Sequence, residues 1–476
     1  MPQIGETGQL LWRYDPKEQS LTLSGAGAIP DYPIAKAPWH ELRKQIKSIV
    51  LREGVTRIGD YAFYDCTALK SVEIPEGVTQ IGESAFACCQ SLESVTIPGS
   101  VTEIGEGAFE SCSDLLVLEL TSGLKHVGAF AFSECFSLRA LDLPDSVERI
   151  DRSAFTGAAL QELVIPSNVQ EIGDNAFNGC IRLSSLTLSE GIRVIEEMAF
   201  SNCSDLTEVL IPASVERLGD GVFADCLAMT QIAVAPESKH FVVRDNILYS
   251  KDLSTLVHYP AGKEEQEFTL PEEVRKIAGL AFASNYFLME VMLGDHLEEV
   301  GSYAFARCSC LSFMSLPAQT TRLGVSPFHD CTMLLEIEVD PSNPYYSSVD
   351  GVLYNKDQTQ LIQYPAGLYE DFYKAPDTVR EIAEYACYDA QYLEVLKIPA
   401  GVRKIGDMAF AFCDKLCDVE IRVADPAQIE VGMMAFFSVA GTPRTLRVPQ
   451  GSCKLYEKSE QWQDLAHKIV EQRTKS

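Results

Sequence analysis

An alanine–phenylalanine pair returns along this chain at a nearly fixed spacing. The phenylalanine occupies positions 63, 86, 109, 132 and 155 in steps of 23 residues, and then positions 177, 200 and 223 after one step of 22. A period between about 20 and 50 residues is typical of architectures in which each structural unit packs only on its neighbours. We therefore expect a solenoid, and not the about three separate domains that a length of 476 residues would otherwise suggest.

One repeat, LKSVEIPEGVTQIGESAFACCQSL (69–92), shows what each position contributes. Val72 and Ile74 alternate with polar residues, which indicates a strand with one buried face, and Pro75 ends that strand. A short helical turn packed on the core is indicated by the spacing of Ala85, Phe86, Cys89 and Leu92. A single unit cannot bury all these side chains, so we expect the strands of successive units to pair into a long parallel sheet.

The repeat spacing is interrupted twice, each time by 36 extra residues. The distance from Phe223 to Phe282, and again from Phe328 to Cys387, is 59 residues. The two insertions resemble each other, as FVVRDNILYSKDLSTLVHYPAGK (241–263) and YSSVDGVLYNKDQTQLIQYPAGL (346–368) show. Each holds two short alternating runs around a polar turn, which predicts a β-hairpin in each insertion and a duplication of a larger unit.

The two ends of a solenoid need covers, and all three tryptophans lie near the termini. Trp12 and Trp39 lie at the front and Trp462 at the back. We predict an N-terminal cap over 1–47, with a hairpin in 10–23 and a short helix from Pro38. The solenoid then covers 48–449, with inserts near 235–265 and 340–370, and a helical cap covers 450–476. In that last cap Ser452 starts a helix, and helical spacing relates Trp462, Leu465 and Ile469.

The recurring pattern IP-x-x-V-T-x-I-G-x-x-A-F-x-x-C-x-x-L resembles the BspA-like class of bacterial leucine-rich repeats over roughly residues 46–449. The terminal segments GQLLWRYDPKEQSLTLSGAGAIPDY and LRVPQGSCKLYEKSEQWQDL resemble the caps of such proteins. The resemblance implies a leucine-rich-repeat solenoid: a curved, right-handed stack with one continuous parallel β-sheet, short helical turns opposite, hairpin inserts and capped ends. It also implies roles in surface adhesion and in contact with host or other cells.

Ten of the 15 cysteines follow the anchor residue by three positions. A thiol at one fixed inward position in each repeat suits packing, because cysteine behaves there as a small hydrophobic residue. Alanine fills the same slot at Ala158 and Ala390. We expect reduced thiols, which fit a cytosolic or anaerobic setting, and no metal site. The ten are Cys66, Cys89, Cys112, Cys135, Cys180, Cys203, Cys226, Cys308, Cys331 and Cys413.

The sequence offers no pattern that is typical of an enzyme. The seven histidines do not recur in register, and the metalloprotease, hydrolase, phosphate-loop and CxxC motifs are absent from the sequence. We therefore expect no catalytic residues, cofactor or metal. The net charge of −29 argues against binding to nucleic acid or to anionic membranes, and no apolar stretch is long enough to insert into a membrane.

The first residues, MPQIGETGQLLWRYD, have neither the basic nor the apolar segment of a signal peptide. The compartment stays open at this stage. We expect a surface or secreted protein if an export signal has been removed, and a cytoplasmic one if Met1 is the native start.

The outward strand position between the two buried ones varies from repeat to repeat, which suits a recognition surface. It is Glu73, Thr96, Glu119 and Asp142 in four successive repeats, and unselected solvent-facing residues are the alternative explanation. Thirteen of the 18 tyrosines lie within 241–392, where Tyr249 and Tyr354 either contact a ligand or fill the hairpin cores. Our leading hypothesis is a monomeric recognition protein for a protein or glycan. An intracellular interaction scaffold is second, and a hydrolase with its site in the inserts is third.

Overall fold

The structure is a computed structural model that describes residues 2–438, 441 and 443–472. The chain forms two compact units. The first holds the residues up to Lys251 together with Pro260–Gly262, and the second holds Asp252–Tyr259 and the residues from Lys263 onward. Each unit is a stack of β-solenoid rungs with parallel strands and few helices, so the predicted fold class is confirmed.

Each rung of the first unit contributes one strand to a row that we call the long row. The row begins with an antiparallel hairpin that the sequence predicted only in part, because a further strand, Gln3–Thr7, pairs outside Leu10–Asp15 and Ser20–Gly25. The parallel strands that follow are Ser48–Leu51, Ser71–Glu73, Ser94–Ile97, Val117–Leu120, Glu162–Ile165, Ser185–Leu188, Glu208–Ile211 and Gln231–Val234.

The long row is divided into segments, whereas the sequence predicted one continuous sheet. In the first unit the pairing stops after Val117–Leu120, because the next rung, residues 140–143, has no regular strand. It resumes as two separate pairs, the first of Glu162–Ile165 with Ser185–Leu188 and the second of Glu208–Ile211 with Gln231–Val234. The rung at 140–143 still buries Leu141, so the core passes through this point even though the ladder does not.

A second ladder of very short strands, which we call the short row, runs along another side of the same rungs. It consists of Gly27–Ala28, Val55–Arg57, Gln80–Ile81, Glu103–Ile104, His126–Val127, Arg149–Ile150, Glu171–Ile172, Val194–Ile195 and Arg217–Leu218. These correspond to the T-x-I positions of the repeat, whose isoleucine or valine points into the core. Most rungs are therefore held to their neighbours along two sides, and the rung at 140–143 is held by the short row, through Arg149–Ile150.

The alanine–phenylalanine corner forms a third line of contacts, and it is a hydrogen-bonded turn where we expected a helical one. Phe86 N donates to Ala108 O at 2.7 Å, and Cys88 N donates to Glu110 O at 2.8 Å. The φ angles of Ser84 and Cys88 are 47° and 61°, in the left-handed region that costs an ordinary residue about 1–2 kcal/mol. Bonds to the next rung offset this cost, since a buried N–H without a partner would be expensive.

The anchor phenylalanines stack into a continuous column inside the first unit. From Phe63 through Phe200 the ring centroids of neighbouring rungs are 5.1 to 5.3 Å apart, and the planes lie within 22° of parallel. The thiols form a second column beside the rings, and from Cys89 to Cys226 each donates to the carbonyl of the anchor phenylalanine in the rung before it. Cys112 Sγ, for example, donates to Phe86 O at 3.3 Å. The thiol is thus a packing group and also a weak donor to a buried carbonyl.

The second unit has the same organisation with its own long row. The strands are Glu267–Thr269, Glu290–Met292, Phe313–Leu316 and Glu336–Val339 in one sheet, and Phe372–Lys374, Val395–Ile398, Asp418–Ile421, Thr445–Val448 and Ile469–Glu471 in another. Its short row is Thr255–His258, Lys276–Ile277, Glu299–Val300 and Arg322–Leu323, and then Gln360–Gln363, Glu381–Ile382, Lys404–Ile405 and Glu430–Val431.

Each insertion carries an antiparallel hairpin with a two-residue turn. In the first unit Phe241–Arg244 pairs with Ile247–Ser250, and in the second Tyr346–Val349 pairs with Val352–Asn355. Both turn residues have positive φ in each hairpin, which matches the right-handed twist of the strands. After the second hairpin Tyr364 takes the place of an anchor phenylalanine, and its N donates to Ala386 O. The sequence Tyr-Pro-Ala-Gly then replaces the usual corner loop, so this rung is shorter there.

The caps contain the few helices. A 3₁₀ turn, His40–Leu42, stands where we expected a short helix from Pro38. At the other end lie a 3₁₀ turn, Pro426–Gln428, an α-helix, Cys453–Lys458, and a 3₁₀ helix, Glu460–Lys468. Ser452 precedes the α-helix but makes no side-chain cap bond, and Ile469 lies in a strand where helical spacing had placed it in a helix. Among the described residues, no helix has the length and apolar content needed to cross a bilayer.

Candidate functional site

The outward positions of the long row in the first unit place three of the predicted residues side by side. Glu73, Thr96 and Glu119 are all exposed and occupy successive strands. Thr96 and Glu119 are direct partners in the parallel register, and Thr96 Oγ1 donates to Glu119 Oε2 at 2.9 Å. We call the surface formed by these three residues, with Leu116 and Val117, the first outer face.

Asp142, the fourth predicted residue, is exposed but does not extend this ladder. It belongs to the rung without a regular strand. The sequence register places it next to Glu119, but no strand pairing fixes its backbone there. The first outer face therefore has a well-ordered part of three strands and a less regular border at Asp142.

The two tyrosines proposed as ligand contacts are buried, and this corrects the prediction. Tyr249 is 2% exposed and Tyr354 is 1% exposed, so neither side chain can reach a ligand at the surface. The Tyr354 hydroxyl bonds to that of Tyr373. These tyrosines fill the hairpin cores, which is the alternative that the sequence had left open.

The first outer face is acidic and partly apolar. Neither Glu73 nor Glu119 forms an ion pair with any described residue, whereas Lys70 at its flank is already paired with Glu93 at 2.7 Å. Leu116 is 50% exposed and Val117 is 44% exposed, directly before Glu119. Carboxylates without cationic partners beside exposed apolar groups suit the binding of a partner more than they suit stability within the chain.

A second cluster, in the second unit, lies where the insertion shortens one rung. The corners of the rungs at Phe328 and Cys387 approach each other beside the Tyr-Pro-Ala-Gly segment, and their aspartates, Asp330 and Asp389, interact electrostatically. His329 packs against Tyr388, with ring centroids 4.4 Å apart, and against Tyr303 and Tyr385. We call Asp330, Asp389 and His329 the corner cluster.

Burial shifts the pKa values of the corner cluster in opposite directions. It raises the pKa of Asp389 to about 6, with the charge of Asp330 adding to the effect, and it raises the pKa of Asp330 as well. It lowers the pKa of His329 to about 4, helped by Arg307. No group of three or more histidine, cysteine or acidic side chains within the described residues is placed to hold a metal ion.

The sequence did not lead us to the corner cluster, because single histidines and acidic pairs are common in a chain with 68 acidic residues. A usable signal was present nevertheless. Asp330 and Asp389 both stand two positions after an anchor, in the two rungs that flank the shortened one. Comparing these positions across the insertion would have placed the two carboxyl groups together.

A comparison with protein families gives the same result as the repeat pattern and the two strand ladders. The profile described as "BspA type Leucine rich repeat region (6 copies)" matches residues 41–159, 125–254, 261–369 and 371–441. The chain belongs to the BspA-type leucine-rich repeat family. No protein among the curated sequences matches this BspA-type chain.

The first of three similar solved structures shares the fold of this chain. A leucine-rich cell surface protein from Faecalibacterium prausnitzii is 24% identical, with a TM-score of 0.52 over 90% of this chain and 97% of that one. A leucine-rich repeat protein from Eubacterium ventriosum is 22% identical, with a TM-score of 0.42 over 91% of this chain and 94% of that one. The pneumococcal vaccine antigen PcpA is 19% identical, with a TM-score of 0.46 over 98% and 97%.

We expect the stability of this BspA-type protein to depend on pH through the corner cluster. Because the folded pKa of Asp389 lies above its ordinary value of 3.8, the native state holds a proton that the unfolded state lacks between about pH 4 and 6. The contribution of Asp389 to the free energy of unfolding therefore falls as the pH rises through this window. Between about pH 4 and 6.5 His329 contributes the opposite slope, because its folded pKa is lowered.

We expect the Asp389→Asn variant to gain stability relative to the unaltered chain as the pH is raised from 4 to 8. Urea midpoints at several pH values would measure the difference. Asp205→Asn, which removes an exposed carboxylate in the first unit, is the control. An equal pH-dependent gain in both variants would contradict a specific role of the Asp330–Asp389 pair.

Proposed function

We propose that this BspA-type protein is a non-catalytic, monomeric recognition protein that binds a protein or glycan ligand through the outer faces of its long-row sheets, in an adhesion role. The observation that carries the proposal is the first outer face. It combines a backbone of paired parallel strands, exposed Leu116 and Val117, and carboxylates at Glu73 and Glu119 that no described cation neutralises. A fixed scaffold with variable outward residues is what a recognition surface requires.

Two further observations support the proposal. The Faecalibacterium prausnitzii protein with the same fold is described as a cell surface protein, which is where an adhesion module would act. The titratable groups with strongly shifted pKa values in this chain lie mostly in the core, as the thiol column does. Thiols buried in this way contribute to packing as small hydrophobic groups.

The test begins with a screen of the purified chain against extracellular matrix proteins and a glycan array. For each ligand found, the variant E73Q/E119Q/D142N should weaken affinity by about tenfold, since three exposed charge contacts of up to about 1 kcal/mol each are lost. The control E53Q/E76Q/D145N removes the same charge from turns that follow the strands, where all three residues are exposed. If affinity is unchanged in the first variant, or is weakened equally in both, the binding site does not lie on the first outer face.

A further inference from the structure

The outer face of the second unit contains a groove. It crosses the strands Glu290–Met292, Phe313–Leu316 and Glu336–Val339 and has a volume of about 670 Å³. Its lining includes Glu290, Met292, Phe313, Ser315, Glu338 and Ser348. We call this feature the second-unit groove.

The floor of the groove is apolar and open to solvent. Met292 is 43% exposed, and Phe313, on the next strand, is half-buried. Met289 and Met333, on the approaches to the same strands, are 45% and 52% exposed. Methionine side chains adapt to partners of different shape, which makes such a floor suitable for apolar side chains of a ligand.

The walls of the groove are acidic, and no described cation balances them. Glu290 and Glu338 line the groove. Glu267 and Glu336 flank it on the same face, since Glu267 lies opposite Glu290 and Glu336 lies opposite Phe313 in the strand register. Like charges directly opposite on neighbouring strands are destabilising, so the Glu267–Glu290 pair lowers the stability of the sheet. The outward positions of these four strands hold no lysine or arginine, and these glutamates, with Glu338, form no ion pair with a described residue.

The other long-row sheet of the same unit provides an internal comparison. There Lys397 Nζ lies 3.3 Å from Glu420 Oε2, and Arg447 Nε lies 2.7 Å from Asp418 Oδ2. Acidic residues on that sheet are neutralised by cations from neighbouring rungs. The unbalanced charge in the second-unit groove is therefore a local feature and not a general property of the unit.

The insertion hairpin closes the last strand edge beside the groove. Ile337 N donates to Gly351 O at 2.9 Å, and Val339 N donates to Ser348 Oγ at 3.1 Å. The N–H groups of Ile337 and Val339, which would otherwise donate to an added strand on this side, thus already have acceptors. A ligand in the groove has to be held by its side chains and not by extending the sheet.

We infer that the second-unit groove binds an extended, cationic and amphiphilic segment of a partner protein. Apolar side chains of the segment pack on Met292 and Phe313, and its lysine or arginine side chains meet Glu290, Glu336 and Glu338. Charge complementarity selects this partner, since the groove offers unneutralised carboxylates around an apolar floor. The inference rests on the proposed recognition function and specifies the partner chemistry of one surface within it.

The test uses the full chain and a fluorescein-labelled peptide of about eight residues in which leucine and lysine alternate. Fluorescence anisotropy at about 50 mM salt limits screening of exposed charges. A leucine–glutamate peptide and a serine–lysine peptide of the same length are the ligand controls. We expect the leucine–lysine peptide to bind at least about tenfold more tightly than the serine–lysine peptide, and the leucine–glutamate peptide not to bind.

Two variants locate the site. The variant E290Q/E336Q/E338Q should weaken the affinity for the leucine–lysine peptide by about tenfold. M292T/F313T, which keeps the charge, should reduce its affinity towards that of the serine–lysine peptide. The control E53Q/E76Q/D145N should change affinity by less than about twofold. Circular dichroism and urea midpoints establish that each variant is folded.

Several outcomes would overturn the inference. The first is that the leucine–lysine peptide does not bind. The second is that E290Q/E336Q/E338Q and the charge-matched control weaken peptide binding equally, because this would show diffuse attraction to a chain of net charge −29. The third is that the chain does not bind the peptide but binds a glycan, and that M292T/F313T abolishes this binding, because the groove would then be a carbohydrate site. The proposed function fails separately, if the ligand screen finds no ligand that depends on the first outer face.

Discussion

Replacing Trp39 with alanine should lower the free energy of unfolding of the first unit by about 3–5 kcal/mol. Trp39 is 1% exposed and stacks on Phe63, with ring centroids 5.4 Å apart, so it begins the column of anchor rings. Its Nε1 donates to Ala62 O at 2.8 Å, which satisfies a carbonyl at the open end of the repeats. The substitution would remove a large apolar surface and leave that carbonyl without its partner.

Hydrogen exchange with mass spectrometry would measure this effect by region, since solenoid rungs are stabilised mainly by their neighbours. We expect protection to fall most in the rungs nearest Trp39 and to recover along the first unit. Trp39→Phe, which keeps the stacking but removes the N–H group, is the matched control and should cost about 1 kcal/mol. A loss below about 1 kcal/mol in Trp39→Ala would show that the cap does not stabilise the repeats.

Alkylation of the native protein should modify four cysteines and leave eleven essentially unmodified. Cys88, Cys310, Cys417 and Cys453 are partly exposed, whereas the other eleven are buried. Burial also raises the pKa of Cys180, Cys308 and Cys413 to about 12, which lowers the reactive thiolate fraction by about a thousandfold compared with an ordinary thiol. Steric exclusion acts in the same direction, so the difference in rate should exceed about a thousandfold.

Iodoacetamide labelling at pH 8, followed by peptide mass spectrometry, would identify the modified positions. Labelling in guanidinium chloride is the control and should modify all 15 cysteines. Rapid native modification of a cysteine in the column, Cys112 for example, would contradict the packed arrangement of the thiols. It would also show that the rung opens on the timescale of the reaction.

Much of the fold follows from the repeat itself. The alternation of Val72 and Ile74 with polar residues specifies a strand, and the fixed spacing of the anchors requires the strands to lie in register. The corner could not be predicted in the same way. The spacing of Ala85, Phe86 and Cys89 fits a helical turn equally well, and only the next rung, which accepts the hydrogen bonds of the corner, decides in favour of the left-handed conformation at Ser84 and Cys88.

The candidate site could also be predicted only in part from the sequence. Exposure of Glu73, Thr96 and Glu119 follows from strand alternation, which needs no knowledge of distant residues. Whether Tyr354 is exposed depends on how its hairpin packs, and it is buried against Tyr373. The second-unit groove and the corner cluster both depend on where the insertion places its neighbours. A periodic pattern is informative about the regular rungs and says little about the places where the period fails.

The corner hydrogen bonds also constrain how such a chain can change in length. In the regular rungs from Phe63 to Phe200 the corner donates to the equivalent carbonyl one rung later, as Phe86 does to Ala108. Deleting or adding one complete 23-residue repeat would rejoin equivalent donors and acceptors, while a deletion of half a repeat would leave left-handed residues strained without compensating bonds. Gain or loss of a whole rung is therefore the change in chain length that disturbs the corner hydrogen bonds least. A chain built this way can lengthen its outer faces without a change in how its core packs.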